Sequence, residues 1–292
     1  MNSHWRKGIA AWKIKGVLYI SVVFSWQLAE AKILAVQHKG KTIIGGPAAI
    51  THREKIDWAD VQDDCPYDTL SMHNPFCTFT SRGCIRKCPF CVVHKIEGEL
   101  LEYTDWKVAP IICDNNLTAT SKKHFTAVID SVKHFSYIDI NQGMDARLFT
   151  SWHADQLQKL SAVKIRFAFD NINEENKVID AFKLCRDKGF NDFGCYVLIG
   201  HKDDPDEARY KLELLRKMKI YPSPMRYQPW DTKVKNSFIA DGWTHQLLQD
   251  VMRYYSNSIR FGGFNFDSYR DFTHGGNKLT GKIQSIKSFF NK

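Results

Sequence analysis

Three cysteines, Cys84, Cys88 and Cys91, stand in a Cys-x3-Cys-x2-Cys spacing within a stretch that runs from Cys77 to Cys91. Thiolates are soft ligands, and three on one tight loop can converge on a single metal centre. A cubane iron-sulfur cluster has four irons, so three protein thiolates leave one iron open to a small molecule. Gly83 and Pro89 help the chain turn back on itself, and Arg86 and Lys87 place positive charge that favours the thiolate form. The plainer alternative is a structural zinc knuckle with Cys77, Cys65 or His94 as fourth ligand. Zinc sites more often join a Cys-x2-Cys to a second, distant pair, which this chain lacks, and a disulfide framework is weaker still.

The string Ser81-Arg82-Gly83-Cys84-x3-Cys88-x-Phe90-Cys91 resembles the cluster loop of radical S-adenosylmethionine (radical SAM) enzymes, particularly the cobalamin-binding and methylthiotransferase types. The resemblance implies a 4Fe-4S cluster on Cys84, Cys88 and Cys91 whose fourth iron chelates the amino and carboxylate groups of S-adenosylmethionine (SAM). It also implies an external one-electron reductant, and cleavage of SAM to a 5'-deoxyadenosyl radical that abstracts hydrogen from a substrate. The likeness covers residues 75–230, closely at the cysteine loop and loosely elsewhere.

At 292 residues, 43% hydrophobic and 25% charged, the chain has an ordinary globular composition, enough for one large domain or one with a partial second. Eight cysteines, three of them clustered, fit a reducing compartment, so a cytoplasmic location is expected. The apolar run at 16–24 follows Arg6 and Lys7 but is too short to span a bilayer; it reads as a buried strand rather than a signal peptide, and no membrane partner is expected. The net charge of +9 is concentrated at the two ends. That split permits an anionic partner such as RNA, a nucleotide or a phosphorylated metabolite, although a merely solvated basic surface is favoured over nucleic-acid binding.

Residues 17–24 read as a strand, 27–38 as a helix and 41–47 as a strand ending in a glycine turn, a βαβ unit suited to parallel pairing. It resembles a fragment of the cobalamin-binding domain that precedes the barrel in one branch of the family. The Asp-x-His-x-x-Gly loop that carries a cobalt-ligating histidine is missing, so no cobalamin is expected. From residue 76 onward, strands at 76–80, 111–114, 137–142, 164–170, 193–199 and 224–228 alternate with helices at 121–133, 151–160, 174–188 and 205–217. The expected fold class is therefore α/β, and the resemblance implies a partial parallel (βα)6 radical SAM barrel at 75–230, preceded by a truncated Rossmann-like unit at 1–70. A helical, aromatic-rich extension at 231–292 packs on the barrel. Chemistry is expected in loops at the C-terminal ends of the strands.

Strand ends supply the residue types that a SAM site needs. The resemblance implies Asp114 and Asn115 near the ammonium through their backbone carbonyls, Arg147 as a guanidinium fork for the carboxylate, and Asp170 for the ribose hydroxyls. It implies Ile199 and Gly200 as backbone contacts to adenine, with Tyr227 and Gln228 lining the adenine pocket or the substrate cavity. Each has an ordinary reading beside it. Asp114 and Asn115 would make an Asx turn, Arg147 a surface ion pair with Asp145, Asp170 a helix cap, and His201 a solvent-facing loop histidine. Cys113, Cys185 and Cys195 have no ligand spacing and read as packing. The expected function is a radical SAM enzyme of unassigned substrate. The alternative is a non-catalytic iron-sulfur or zinc protein that binds RNA or another anionic partner.

Overall fold

The computed structural model describes residues 8–63, 67–257 and 265–274. Cys65 and much of the glycine-rich part of the C-terminal segment lie outside the described residues.

Strand β1 (Ile9–Ile14) pairs antiparallel with β2 (Val17–Val22) across a two-residue turn in which Lys15 and Gly16 both have positive φ, 48° and 80°. That turn matches the twist of a hairpin. Helix α1 (Leu28–His38) then leads to β3 (Thr42–Gly45), parallel to β2, and α2 (Pro47–Thr51) to β4 (Asp60–Val61), parallel to β3. The N-terminal unit is thus a four-stranded sheet in the order β1-β2-β3-β4, larger than the βαβ unit read from sequence. Lys13 and Lys15 break the apolar run that would have marked β1. Gly46, at φ 88°, is required where α2 begins, since a Cβ there would lie 2.7 Å from the Val22 carbonyl oxygen.

Helix α3 (Thr69–His73) connects to β5 (Cys77–Thr78), the first strand of the main sheet. The cysteine loop follows, entered by β6 (Ser81–Arg82), which pairs antiparallel with β7 (Leu101–Glu102); the short α4 (Val93–Ile96) lies between them. The main sheet continues with β8 (Ile111–Ile112), α5 (Lys122–Val132), β9 (Ile138–Ile140), α6 (Ser151–Leu157), β10 (Val163–Ala168), α7 (Glu175–Asp187), β11 (Phe193–Ile199), α8 (Pro205–Lys217) and β12 (Tyr221–Arg226). Its order is β12-β11-β10-β9-β8-β5, and every neighbouring pair is parallel.

Local chemistry explains these helices. Ser121 accepts the His124 N–H at 3.1 Å, and Asp204 accepts those of Asp206 and Glu207 ahead of Pro205 in the first turn. Along β10, alternation directs Ile165 and Phe167 to the helices, where Phe167 meets Phe182 edge to face at 4.9 Å. Each such fully buried side chain contributes roughly 1.5–3 kcal/mol. The opposite face carries the buried ion pair of Arg166 with Asp139, and Gly194 on the next strand leaves it room. A pair of this kind fixes an arrangement more than it adds stability.

The sixth strand begins three residues earlier than its sequence suggests. Pro222 and Pro224 are tolerated there because β12 is the sheet edge. Helix α9 (His245–Ser256) covers that edge with Leu248, Val251, Tyr254 and Tyr255, and α10 (Phe266–His274) is tied to it by Arg270 and His274 on the buried Asp250. No helix among the described residues is long and apolar enough to cross a membrane.

Candidate functional site

The cysteine loop leaves the C-terminal end of β5 and is pinned at its entrance by two carboxylates. Asp114, following β8, accepts the Thr80 N–H at 2.6 Å, the Thr80 hydroxyl at 2.5 Å and the Ser81 hydroxyl at 2.8 Å. Burial pushes its carboxyl above the ordinary range, with those hydrogen bonds opposing. Glu97, just after α4, pairs with Arg82 and accepts the Gly83 N–H at 3.0 Å and the Asn115 amide at 2.5 Å. Gly83 has φ 73°, and a Cβ on it would stand 2.1 Å from the Glu99 carbonyl oxygen, so only glycine can pass. Beyond it the Arg86 N–H reaches Cys84 Sγ at 3.4 Å, and the Cys91 N–H bonds the Cys88 carbonyl at 3.0 Å, closing a tight turn.

Cys84, Cys88 and Cys91 line one cavity of about 750 Å³ at the C-terminal edge of the main sheet. Among the described residues no three His, Cys, Asp or Glu side chains gather around a single ion position. Each iron of a cubane takes one thiolate, so three loop thiols are the number that a cluster with one open iron requires. Burial pushes the Cys88 and Cys91 thiols up, and the neighbouring thiols add to it. The expected help from Arg86 and Lys87 is not what the structure shows, because Arg86 pairs with Asp145 at 3.0 Å and Lys87 with Glu99 at 3.5 Å.

Arg147 and Asp170 both line this cavity. The Arg147 guanidinium holds Asp145 at 2.7 and 3.0 Å and Glu174 at 2.6 Å, so the ion pair anticipated from sequence is present and still faces the cavity. Burial acts to raise the Asp145 carboxyl, but the hydrogen bonds and charge of Arg147, with Arg86, hold it below its usual range. Asp170 is pushed up to about 6 by burial, against the Leu198 N–H that it accepts at 3.1 Å.

Asn115 is on the cavity wall, with its amide on Glu97. Asp114 is not on the wall; its carboxylate is engaged with the loop, so any part it has at the SAM ammonium falls to its backbone carbonyl, as the resemblance implies. Ile199 is buried in the core and Gly200 packs against Leu248 at the end of β11, while Leu198 and His201 on either side line the cavity. Tyr227 stands behind His201, ring centroids 4.5 Å apart, and His201 meets Phe90 of the cysteine loop at 5.7 Å. His201 therefore belongs to the wall rather than to open solvent, and burial, with Lys202, lowers its pKa. Cys77 is buried on β5 beside Cys113, away from the cavity.

A second cavity, of about 800 Å³, lies between the two sheets at the C-terminal ends of β2 and β3. Trp12, Tyr19, Ile44 and Phe79 form apolar walls, and Trp12 Nε1 is buried without a hydrogen-bond partner among the described residues. Asn115 and Gln142 line both cavities and so form the partition between them.

No family model and no curated protein matches this chain. A solved structure does: a radical S-adenosylmethionine methyltransferase, TsrM, from Kitasatospora setae, with cobalamin and a 4Fe-4S cluster bound. The superposition has a TM-score of 0.54 at 10% sequence identity and covers 76% of this chain and 66% of that one. At that identity the likeness shows the fold alone: this chain shares the α/β plan of that neighbour and spans about two thirds of its length. The finding also overturns the expectation of no cobalamin, since the shared fold is one that holds it in TsrM. That expectation rested on a missing histidine loop.

Proposed function

We propose that this chain is a radical SAM enzyme that reductively cleaves SAM to a 5'-deoxyadenosyl radical and abstracts hydrogen from a substrate. The observation that carries the reading is that three loop thiols, the Arg147 guanidinium and the Asp170 carboxylate share one cavity at the C-terminal edge of a parallel sheet. The donor set fits a 4Fe-4S cluster on Cys84, Cys88 and Cys91, which when bound supplies one electron and an iron open to SAM.

The chain's own residues then have distinct tasks. Arg147, held in orientation by Asp145 and Glu174, presents its guanidinium to the SAM carboxylate. Asp170, ionised above about pH 6, accepts from the ribose hydroxyls. Phe90 and His201, meeting edge to face and backed by Tyr227, form a wall that keeps water from the reacting atoms. Asn115 and Gln142 at the partition place the second cavity next to the first, so a flat, largely apolar ligand there would lie beside the cleavage point. A corrinoid held there would be lined by Trp12, Tyr19 and Phe79, and would supply a methyl-carrying metal.

Anaerobic reconstitution, followed by dithionite and SAM, tests the proposal through release of 5'-deoxyadenosine. Cys84→Ala should abolish the release. A colourless bound ion in place of the cluster, or a cluster that leaves SAM intact, would overturn the reading.

A further inference from the structure

We propose that Glu97 is a positioning residue for the cluster loop, coupling the peptide before Cys84 to the wall between the two cavities. This rests on the radical SAM reading of that loop.

Glu97 uses its carboxylate three times over. One oxygen takes Arg82; the other takes the Gly83 N–H at 3.0 Å and the Asn115 amide at 2.5 Å. Its side chain is only 12% exposed, and the Arg82 guanidinium is itself fixed from above, 3.8 Å over the Phe79 ring. The next residues continue the same rail: the Cys84 N–H donates to the Gly98 carbonyl at 3.3 Å, and the Glu99 carbonyl closes over Gly83.

Gly83 can carry no side chain, so nothing but backbone hydrogen bonds can fix the peptide that aims Cys84. Glu97 supplies the one on the Gly83 N–H. The same oxygen holds Asn115, which lines both cavities. One carboxylate therefore sets the relation between the first cluster ligand and the residue on the partition. With three donors already seated, it has little capacity to act as a base, which separates a positioning role from a catalytic one.

The test uses the full chain, reconstituted without oxygen, as wild type, Glu97→Ala and Glu97→Gln. Iron and sulfide content, the electron paramagnetic resonance signal of the reduced cluster with and without SAM, SAM affinity and thermal midpoint are measured together. Glu97→Ala should lower the midpoint, because Arg82 loses its partner, but should keep the fold, because the residue belongs to none of the three hydrophobic clusters. It should bind SAM about 10-fold more weakly, the effect of losing a charge-assisted contact, and show a broadened signal that SAM shifts less. Glu97→Gln, which keeps an acceptor for the Gly83 N–H, should recover part of both. A signal, SAM response and affinity unchanged in Glu97→Ala would overturn the proposal, as would equal loss of midpoint and cluster in both variants. A wild-type cluster indifferent to SAM would instead defeat the radical SAM reading itself.

Discussion

Lys211 and Asp170 meet where two adjacent strands end. The fully buried Lys211 ammonium donates to the Asp170 carbonyl at 3.2 Å and to the Leu198 carbonyl at 3.4 Å, while the Asp170 carboxylate accepts the Leu198 N–H at 3.1 Å. Asp203 at 3.7 Å and Glu207 at 3.5 Å balance the charge. Lys211→Ala should leave these groups buried without their cation and lose about 3–5 kcal/mol in urea unfolding. Lys211→Met, which keeps the volume without the charge, should lose less.

Asp170 gives stability a definite pH dependence. Its folded-state pKa, about 6, lies above the ordinary 3.8. The folded chain therefore holds that proton more tightly than the unfolded one. The contribution is complete below about pH 4, declines as pH rises towards 6 and is lost above it. Asp170→Asn should remove the decline. Unfolding curves of the cluster-free variant and wild type should diverge between pH 4 and 6, by an amount on the order of 3 kcal/mol.

Gly83→Ala should separate the loop from the scaffold. The added Cβ cannot stand 2.1 Å from the Glu99 carbonyl oxygen, so the loop must shift, while the main core is not touched. Iron content after reconstitution should fall to a small fraction of wild type, with the far-ultraviolet circular dichroism retained.

Cys84→Ala, Cys88→Ala and Cys91→Ala should each eliminate the visible absorbance of the reconstituted protein. Cys113→Ala should keep it, because Cys113 is buried beside Cys77 and its thiol is pushed far up by that hydrogen bond and by burial.

Arg147→Ala should weaken SAM binding by about 10- to 100-fold, the usual range for one lost charge-assisted contact. Arg147→Lys should restore only part of it, because an ammonium lacks the fork. Titration calorimetry on the reconstituted protein measures both.

The parts legible in the sequence were those carried by local pattern. Residues 193–199 are nearly all apolar and form β11, and the spacing of Cys84, Cys88 and Cys91 marks a loop whose thiols do share a cavity. Strands β5 and β8 have two residues each, too few for any periodicity, and were overextended in the sequence reading. Glu97 lies in an irregular stretch with no pattern to single it out, and its partners are 14 to 18 residues away. The bonds of the Asp114 carboxylate to Thr80 and Ser81, 34 and 33 residues away where the cysteine loop begins, leave no trace in local pattern. The second cavity joins Trp12 and Tyr19 to Phe79 and Asn141, a juxtaposition that only tertiary packing creates.

Because each strand of the main sheet pairs only with the one before or after it in that sheet, assembly can follow synthesis. Closing each successive crossover adds only a modest entropic penalty, since that penalty grows slowly with length. As the polypeptide leaves the ribosome the sheet can lengthen at one growing border, and that border stays bare until α9 arrives. Chains stalled before residue 245 would present β12 as an unpaired template, and α9 acts as the stopper that ends growth.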